Sequence, residues 1–280
     1  MSHAPARLQR WRFVVARAGD VGGSNAAGSA AAGSRAGGST AGASAGETAA
    51  AGCTAAGSTA GGSTAAGSSQ REALDSWIAA LSAAGLPVAW TEGARARPRV
   101  TFGAPIPSGL ALEADLLDVV LRDRWPIWRV REAMVDHVPP GWRIVDLHDV
   151  WPGAPPLPAQ VAGADYRIVL ATDASDAALG DAAREMLAAP RLMRARSKGA
   201  GTVEYDLRPL VAEVRVCDDG PPVVLSLRTR IHPELGSGRP EEVVAELAAR
   251  AGTAIGIESI VRERLVLVDE PDDLGVAERW

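Results

Sequence analysis

The chain is poor in cysteine, in aromatic side chains and in long apolar runs. Its 280 residues include two cysteines, and aromatic residues make up 4%. Cys53 and Cys217 are too few for a disulfide framework or for the three or four thiolates of an iron–sulfur cluster. No stretch approaches the length of a membrane-spanning helix, and the N-terminal MSHAPARLQRWRF has no signal-peptide core. These absences predict a cytoplasmic protein that carries no cluster of its own.

The chain also has no excess of positive charge. Acidic residues outnumber basic ones, and the formal net charge is −5. Such a balance argues against binding nucleic acid or an anionic membrane over the whole surface. Contact with an anion would therefore depend on local basic patches.

Residues 22–69 have almost no side chain that could enter a core. Every position is Ala, Gly, Ser or Thr except Asn25, Arg35, Glu47 and Cys53. A tract of this kind cannot offset the entropy of ordering its backbone. We therefore expect residues 22–69 to be a disordered insertion, and the remaining chain is long enough for two small domains.

Outside this tract, hydrophobic periodicity first gives the order β-α-β-β-α-β, allowing one extra short strand. LQRWRFVVAR alternates, with Trp11, Phe13 and Val15 on one face and Arg10 and Arg12 on the other, which predicts a strand with one buried side. SQREALDSWIAALSAAGLP has helical spacing and ends at Gly-Leu-Pro, which predicts a helix. Strands are predicted at VAW, RPRVTF, LEADLLDVVLR and GWRIVDLHDVW, with a helix at PIWRVREAMVDHV before the last. The inner stripe of the first helix is Leu74, Trp77, Ile78 and Leu81.

The same order then repeats. ADYRIVLAT reads as a strand, and Ser175 is a good N-cap for the helix DAALGDAAREMLAA. RLMRAR and TVEYDLR predict a hairpin around SKGAG, and a second hairpin turns at Asp219-Gly220. Pro240 begins a helix that Gly252 ends, and AIGIESIVRERLVLVDE supplies the closing strand.

Two successive β-α-β-β-α-β orders predict an α+β protein of two tandem ferredoxin-like units with antiparallel sheets. We expect the first unit at residues 1–150 and the second at residues 161–270. A Pro-rich linker at 151–160 joins them, and residues 271–280 form a tail. A single longer α+β sheet is the alternative, since local patterns do not fix whether the two sheets join.

The first candidate site is TEGARARPRVTFGAPIPSG, residues 91–109. If ARARPR is extended, Arg95, Arg97 and Arg99 project from one face, at about the spacing of successive phosphates on a single strand. A solvated strand edge protected by positive charge is the alternative. The residues expected to shape the loop are Gly93, Pro98, Pro107 and Gly109.

The second candidate site is RLMRARSKGAGTVEYDLRP. Lys198 lies beside a glycine-rich turn, and Asp206 and Arg208 are expected to share a strand face where they could pair. A basic hairpin on such a sheet suits a phosphate backbone or a nucleotide, although charged hairpins are also common on surfaces without a ligand. Lys198, Asp206 and Arg208 are therefore the second set of substrate-binding or anion-binding candidates.

No pattern of catalytic or metal-binding residues is present in the sequence. The four histidines do not form an HxH or HExxH pair, and no GxGxxG after a strand, GxxxxGK[ST] or GxSxG motif occurs. Asp115 and Asp118 are predicted to face opposite sides of a strand, which argues against a paired-carboxylate catalyst. We expect no catalytic residues, no metal and no cofactor.

The segment GLPVAWTEGARARPRVTFGAPIPSGLALEADLLDVVL, residues 85–121, resembles the signature segment of the radical-SAM-linked domain-of-unknown-function family. There a helix ends in Gly-Leu-Pro before a Gly-Phe-Asn-Pro loop, a Ser-Phe strand, a Pro-Leu-Gly turn and a Glu-x-Leu-Asp strand. Lys198, DLRP at 206–209, RPEEV at 239–243 and Arg262 extend the resemblance to nearly everything outside residues 22–69. Within the segment the matching residues are Gly85, Leu86, Pro87, Gly93, Pro98, Phe102, Pro107, Gly109, Leu117 and Asp118.

The chain departs from that family at two places. A Ser-His-Leu-Asp segment that follows Gly19-Asp20 in the family is replaced here by the low-complexity tract. The Gly-Phe-Asn-Pro run has become Gly93-Ala94-Arg95-Ala96. The chain therefore resembles a diverged member: inactive if the lost residues performed chemistry, or using arginines for a different anion contact if they only shaped the loop.

The resemblance implies an accessory protein that works with a cobalamin-binding radical SAM enzyme. Its role would be to bind RNA or another anionic substrate, through Arg97, Arg99, Lys198 and Arg208, without performing catalysis. Two alternatives are an RNA-acting enzyme on tandem ferredoxin-like domains and a purely structural partner.

Overall fold

The computed structural model describes residues 8–19, 62–107, 109–198, 201–217 and 220–268. Most of the predicted insertion, residues 22–61, and the predicted tail lie outside these ranges. Helix α1 begins at Gly62, so residues 62–69 of the predicted insertion form its first turns. Extending a nucleated helix costs little per residue, and the run GSTAAGSS contains alanine, the best helix former, so the helix continues backward from its amphipathic part.

The first half of the chain forms four antiparallel strands and two helices. Along the sheet the strands lie in the order β4-β1-β3-β2, and each pair of neighbours is antiparallel. The elements are β1 (Gln9–Arg17), α1 (Gly62–Ala83), β2 (Val100–Phe102), β3 (Ala111–Leu121), α2 (Ile127–Met134) and β4 (Trp142–Val150).

The second half repeats this arrangement, with the order β11-β5-β9-β8 and antiparallel neighbours throughout. Strands β6 and β7 form a separate two-stranded hairpin, and the short β10 pairs with β9. The elements are α3 (Leu157–Gln160), β5 (Val161–Ala171), α4 (Asp176–Ala188), β6 (Met193–Lys198), β7 (Gly201–Asp206), a 3-10 turn (Arg208–Leu210), β8 (Val211–Cys217), β9 (Val223–His232), β10 (Gly236–Ser237), α5 (Pro240–Ala251) and β11 (Gly256–Leu267).

Strand β3 joins the two halves into one nine-stranded sheet among the described residues. Its first residues, 111–114, pair in parallel with residues 261–264 of β11, and its residues 117–119 pair with β2. The prediction of a mixed α+β protein with a mostly antiparallel sheet is confirmed. The segment predicted as a linker contains helix α3 and leads directly into β5.

The core beneath the first half is built around Trp77. Its ring contacts Phe13 at a centroid distance of 6.2 Å and Trp142 at 5.8 Å, both in edge-to-face geometry. Trp77 and Leu81 are fully buried, as their place in the predicted stripe of α1 requires. Aromatic pairs of this geometry add to the free energy gained from area burial, so they fix α1 against β1 and β4.

The prediction that β1 buries one side only is wrong. Arg10 and Arg12 are 6% and 8% exposed, because both donate to the carboxylate of Asp118 on β3. The Arg10 guanidinium also donates to the carbonyl oxygens of Ala154 and Pro155, each at 2.9 Å. The Pro-rich segment therefore covers the polar face of β1, and the buried arginines hold it there.

A buried ion pair joins β3 to β11 where the two halves meet. Arg262 of β11 pairs with Asp115 of β3, and these side chains are 3% and 1% exposed. The Arg262 Nη1 atom also donates to the Pro105 carbonyl oxygen at 2.9 Å. Burial lowers the pKa of Arg262, but Asp115 and Tyr166 raise it by more, so the net shift is upward and the guanidinium stays charged. A second network at the surface joins Arg167 of β5 to Glu113 of β3 and Glu263 of β11.

Candidate anion-binding groove

Residues 89–99 form a closed loop beside β3. At its base Ala89 N donates to Val120 O at 2.8 Å, and Arg99 N donates to Ala89 O at 2.8 Å. Thr91 closes the loop, since its N–H donates to Arg97 O at 2.8 Å and its Oγ1 accepts from Arg97 N at 2.9 Å. The loop reverses direction near Gly93, whose φ of +106° favours glycine.

The predicted extended run through Arg95 is wrong. Residue 95 lies in the turn of this loop, and regular strand begins at Val100. The hydrogen bonds between Thr91 and Arg97 close the chain into a loop before β2 starts, so Arg95, Arg97 and Arg99 do not form one row. All three side chains are exposed.

A groove of about 820 Å³ opens between this loop, helix α1 and the Pro-rich segment. Arg71 of α1 lines it together with Arg97 and Arg99, whereas Arg95 is not part of the lining. Buried Arg10 forms part of the wall. Apolar lining residues include Leu74, Ile78, Val100 and Leu157. The groove thus combines guanidinium groups at its margin with apolar walls.

The charges of the groove are unevenly balanced. Within the described ranges, no salt bridge involves Arg71, Arg97 or Arg99, and all three side chains are exposed. Of the two lining carboxylates, Asp118 is already bound to Arg10 and Arg12, which leaves Asp75 as the partly compensating charge. Three arginines and one carboxylate without a described salt bridge therefore line the groove, and such an excess of positive charge favours an anion as ligand.

The loop at residues 103–110 is held by arginines from two strands. Arg17 Nη2 donates to the carbonyl oxygens of Pro107 and Leu110 at 2.9 and 3.2 Å, and Arg262 holds Pro105. Gly109 has a φ of +72°, a backbone conformation that favours glycine. Its carbonyl oxygen lies close to Gly19, so that a Cβ added to Gly19 would be 3.0 Å from this oxygen. Pro107 and Gly109, two of the residues predicted to shape the loop, thus belong to a segment whose backbone oxygens accept hydrogen bonds from arginines of β1 and β11.

The sequence matches the family described as uncharacterized protein conserved in bacteria, DUF2344, over residues 63–245. The chain belongs to this family. A search of curated proteins finds no match. The DUF2344 segment contains Arg71, Arg97 and Arg99 of the groove, whereas Arg10 and Arg262 lie outside it.

The lining of the groove includes no described residue of the second predicted site of this DUF2344 chain. Lys198 ends strand β6. Asp206 Oδ1 accepts from Leu192 N at 2.8 Å and from Arg208 N at 2.9 Å, and closes the base of the hairpin. Arg208 donates to the carbonyl oxygens of Leu187 and Val211, each at 2.9 Å.

The expected side-chain pair of Asp206 and Arg208 is therefore not formed among the described contacts. Arg208 lies in a 3-10 turn rather than on the strand face, because Asp206 caps the backbone of the bend that separates β7 from β8. Their role in binding an anion stays a prediction.

Arg71 is the groove residue that the sequence reasoning missed. It precedes Asp75 by four positions and Ile78 by seven, so helical spacing puts all three on one side of α1. That signal was present in the sequence, but nothing local indicates that this side of α1 faces the loop at residues 89–99.

Among the described residues, no group of three or more His, Cys, Asp or Glu side chains could hold a metal ion, and no helix is long and apolar enough to cross a membrane.

Proposed function

We propose that the chain is a non-catalytic binding subunit that holds single-stranded RNA in the groove lined by Arg71, Arg97 and Arg99. One observation carries this proposal: Arg71, Arg97 and Arg99 are exposed around a single groove and have no described salt bridge. Guanidinium groups bind phosphate oxygens with paired, charge-assisted hydrogen bonds. A row of phosphates could therefore satisfy the donors that the protein leaves available.

The shape and lining of the groove favour a single strand over a duplex. Single-stranded binding sites combine cations that follow the backbone with side chains that contact the exposed bases, most often aromatic ones. Here the apolar side chains of Leu74, Ile78 and Val100 lie in the same groove as the arginines. Because the net charge is −5, binding would be confined to this groove rather than spread over the surface.

We further propose that the RNA is presented to a cobalamin-binding radical SAM enzyme in the cytoplasm. The support is the resemblance of residues 85–121 to the radical-SAM-linked family signature. Those residues include the loop at residues 89–99, which carries Arg97 and Arg99, and the strands β2 and β3. In this proposal the partner performs the chemistry, and the present chain supplies the binding surface.

The finer fold assignment, two tandem ferredoxin-like units, is part of the same proposal. It is supported by the strand orders β4-β1-β3-β2 and β11-β5-β9-β8, which are equivalent in the two halves. In each order the first strand of the unit has the third strand on one side and the fourth on the other, as in a split βαβ arrangement.

Binding of a 12-nucleotide RNA should weaken steadily as salt concentration rises. Three arginines that each neutralise one phosphate predict a slope of about −2 in a plot of log affinity against log salt, at about −0.7 per phosphate of a single strand. Fluorescence anisotropy with a labelled oligonucleotide measures this slope. Binding that does not change with salt, or no binding, would refute the RNA proposal.

The partner proposal is tested by affinity purification. We expect the tagged chain, isolated under reducing and anaerobic conditions, to retain a protein that contains both cobalamin and an iron–sulfur cluster. The absorption spectrum and mass spectrometry of the recovered material identify that partner. Recovery of the tagged chain alone under these conditions would contradict the proposal.

A further inference from the structure

A second, smaller cavity lies next to the groove. It has a volume of about 250 Å³ and shares Ile78, Pro98 and Val100 with the groove lining, so the two cavities are adjacent. Its remaining lining residues are Ser82, Leu86, Val88, Trp90 and Arg122. This cavity is called the Trp90 pocket below.

Trp90 is held in place by the backbone and left open to solvent at its side chain. Its own backbone forms a bridge with Pro98, and the neighbouring Ala89 is bonded to both Val120 and Arg99. The residue nevertheless remains 58% exposed. A tryptophan ring gains considerable free energy from burial. A ring fixed at the wall of a pocket and half uncovered is therefore suited to being covered by a ligand.

The Trp90 pocket is also lined by two polar residues, Arg122 and Ser82. Arg122 N donates to Pro87 O at 2.8 Å, which places the residue directly after β3 with its side chain exposed. Ser82 comes from the last turn of α1. The residues that line the pocket therefore include a tryptophan, an arginine, a serine and several apolar residues.

We propose that the Trp90 pocket binds one nucleobase of a single-stranded RNA whose phosphates lie on Arg97 and Arg99. This inference rests on the proposed RNA function and adds a base-binding subsite to it. The volume is below the range of about 300–1,000 Å³ that is typical of pockets for whole ligands, and it suits a single ring system. Bases of single strands stack on aromatic side chains and on guanidinium planes, and both are present here.

The adjacency of the two cavities supports the assignment. Arg97 lines the groove, and the next residue, Pro98, lines both the groove and the Trp90 pocket. A nucleotide bound at this point would have its phosphate at the arginine and its base directed to the tryptophan. Stacking is tolerant of sequence because every base has an aromatic face, so the pocket is expected to add affinity for any base.

The test compares two 12-mers with the same number of phosphates, an oligouridylate and an abasic ribose-phosphate oligomer. The unaltered chain is expected to bind the oligouridylate about tenfold more tightly, which corresponds to one stacked base. Trp90→Ala should bind both oligomers with the affinity of the abasic one. Trp128→Ala is the matched control, because Trp128 is 63% exposed on α2 and lines neither cavity, and it should keep the tenfold preference.

The outcomes separate this inference from the RNA proposal. Equal affinity of the unaltered chain for both oligomers overturns the base pocket but leaves the proposal of salt-dependent phosphate binding intact. This comparison uses only the unaltered chain, so it does not depend on whether a variant folds. A preference that survives in Trp90→Ala assigns the base to another surface and also overturns it. Absence of salt-dependent binding to either oligomer would reject both the RNA proposal and the base pocket. Trp90→Phe, which keeps a smaller ring, should give a preference between those of the unaltered chain and Trp90→Ala.

Discussion

Replacing Arg262 with methionine is expected to lower the free energy of unfolding by about 3–5 kcal/mol, because removal of one partner leaves a buried charge uncompensated. The partner is Asp115, which is 1% exposed. Its one other described hydrogen bond comes from Leu116 N, at 3.0 Å. The Pro105 carbonyl oxygen would also lose the donor that holds the loop at 103–110. Urea denaturation followed by circular dichroism measures the loss.

Two controls show whether the ion pair is the cause. Arg131→Met removes a pair with Asp146 whose side chains are 53% and 47% exposed, and it should cost no more than about 1 kcal/mol. The double variant Asp115→Leu with Arg262→Met removes both buried charges and should recover more than half of the stability lost in the single variant. If the double variant were as unstable as the sum of the two single variants, the predicted role of the pair would be wrong.

Replacing both Arg97 and Arg99 with alanine is expected to weaken RNA binding about 100-fold at low salt. Hydrogen bonds to charged groups contribute about 1.5–3 kcal/mol each, and exposed groups lie at the lower end, which gives about 3 kcal/mol for the two arginines. Neither side chain has a described salt bridge or hydrogen bond in the fold. The free energy of unfolding should therefore remain within about 0.5 kcal/mol of that of the unaltered chain, as for other surface substitutions.

Arg95→Ala is the matched control for this double variant. Arg95 lies in the same loop and is equally exposed, but it does not line the groove. Its replacement should change affinity by less than the replacement of either Arg97 or Arg99. An equal loss in Arg95→Ala would mean that the charge of the loop, and not the groove, binds the RNA. Anisotropy titrations of the unaltered chain, the double variant and the three single variants at about 50 mM salt give the comparison.

Features that depend on neighbours within one or two turns could be predicted from the sequence. The Ser175 side chain accepts from Ala178 N at 3.3 Å, as an N-cap should. Gly252 ends α5 with a φ of +65°, which is the left-handed conformation expected of a helix-ending glycine. Leu225 and Leu227 face the core from the predicted second hairpin. In these cases the interacting groups are close in sequence, so the local pattern contains the whole cause.

The remaining features depend on partners far away in the chain. Arg12 is buried because of Asp118, 106 positions later, and Arg262 meets Asp115 across 147 positions. The periodicity of β1 correctly placed its apolar face, but it could not show that the opposite face would also be covered. The parallel contact between β3 and β11, which decides between separate sheets and one sheet, has no local signal for the same reason.

The candidate groove was predictable only in part. Arg97 and Arg99 were identified from their spacing, and both line the groove, whereas Arg95 is displaced by the turn at Gly93. Arg208 was predicted as an anion-binding residue from its place on a basic hairpin, yet it donates to the Leu187 carbonyl oxygen of an earlier helix. Charge on a strand or loop therefore does not tell whether a guanidinium is available until the packing around it is known.

The position of β3 also constrains the order in which the protein can be completed during synthesis. Residues 111–114 of β3 leave the ribosome well before residues 261–264 of β11, which supply their parallel partner. Until then this part of β3 presents an unpaired strand edge, and Asp115 has no arginine opposite it. The nascent first half must therefore remain without its parallel partner strand until β11 is translated. Among the described strands β11 is the last in the chain, so the two halves of the sheet can join only near the end of synthesis.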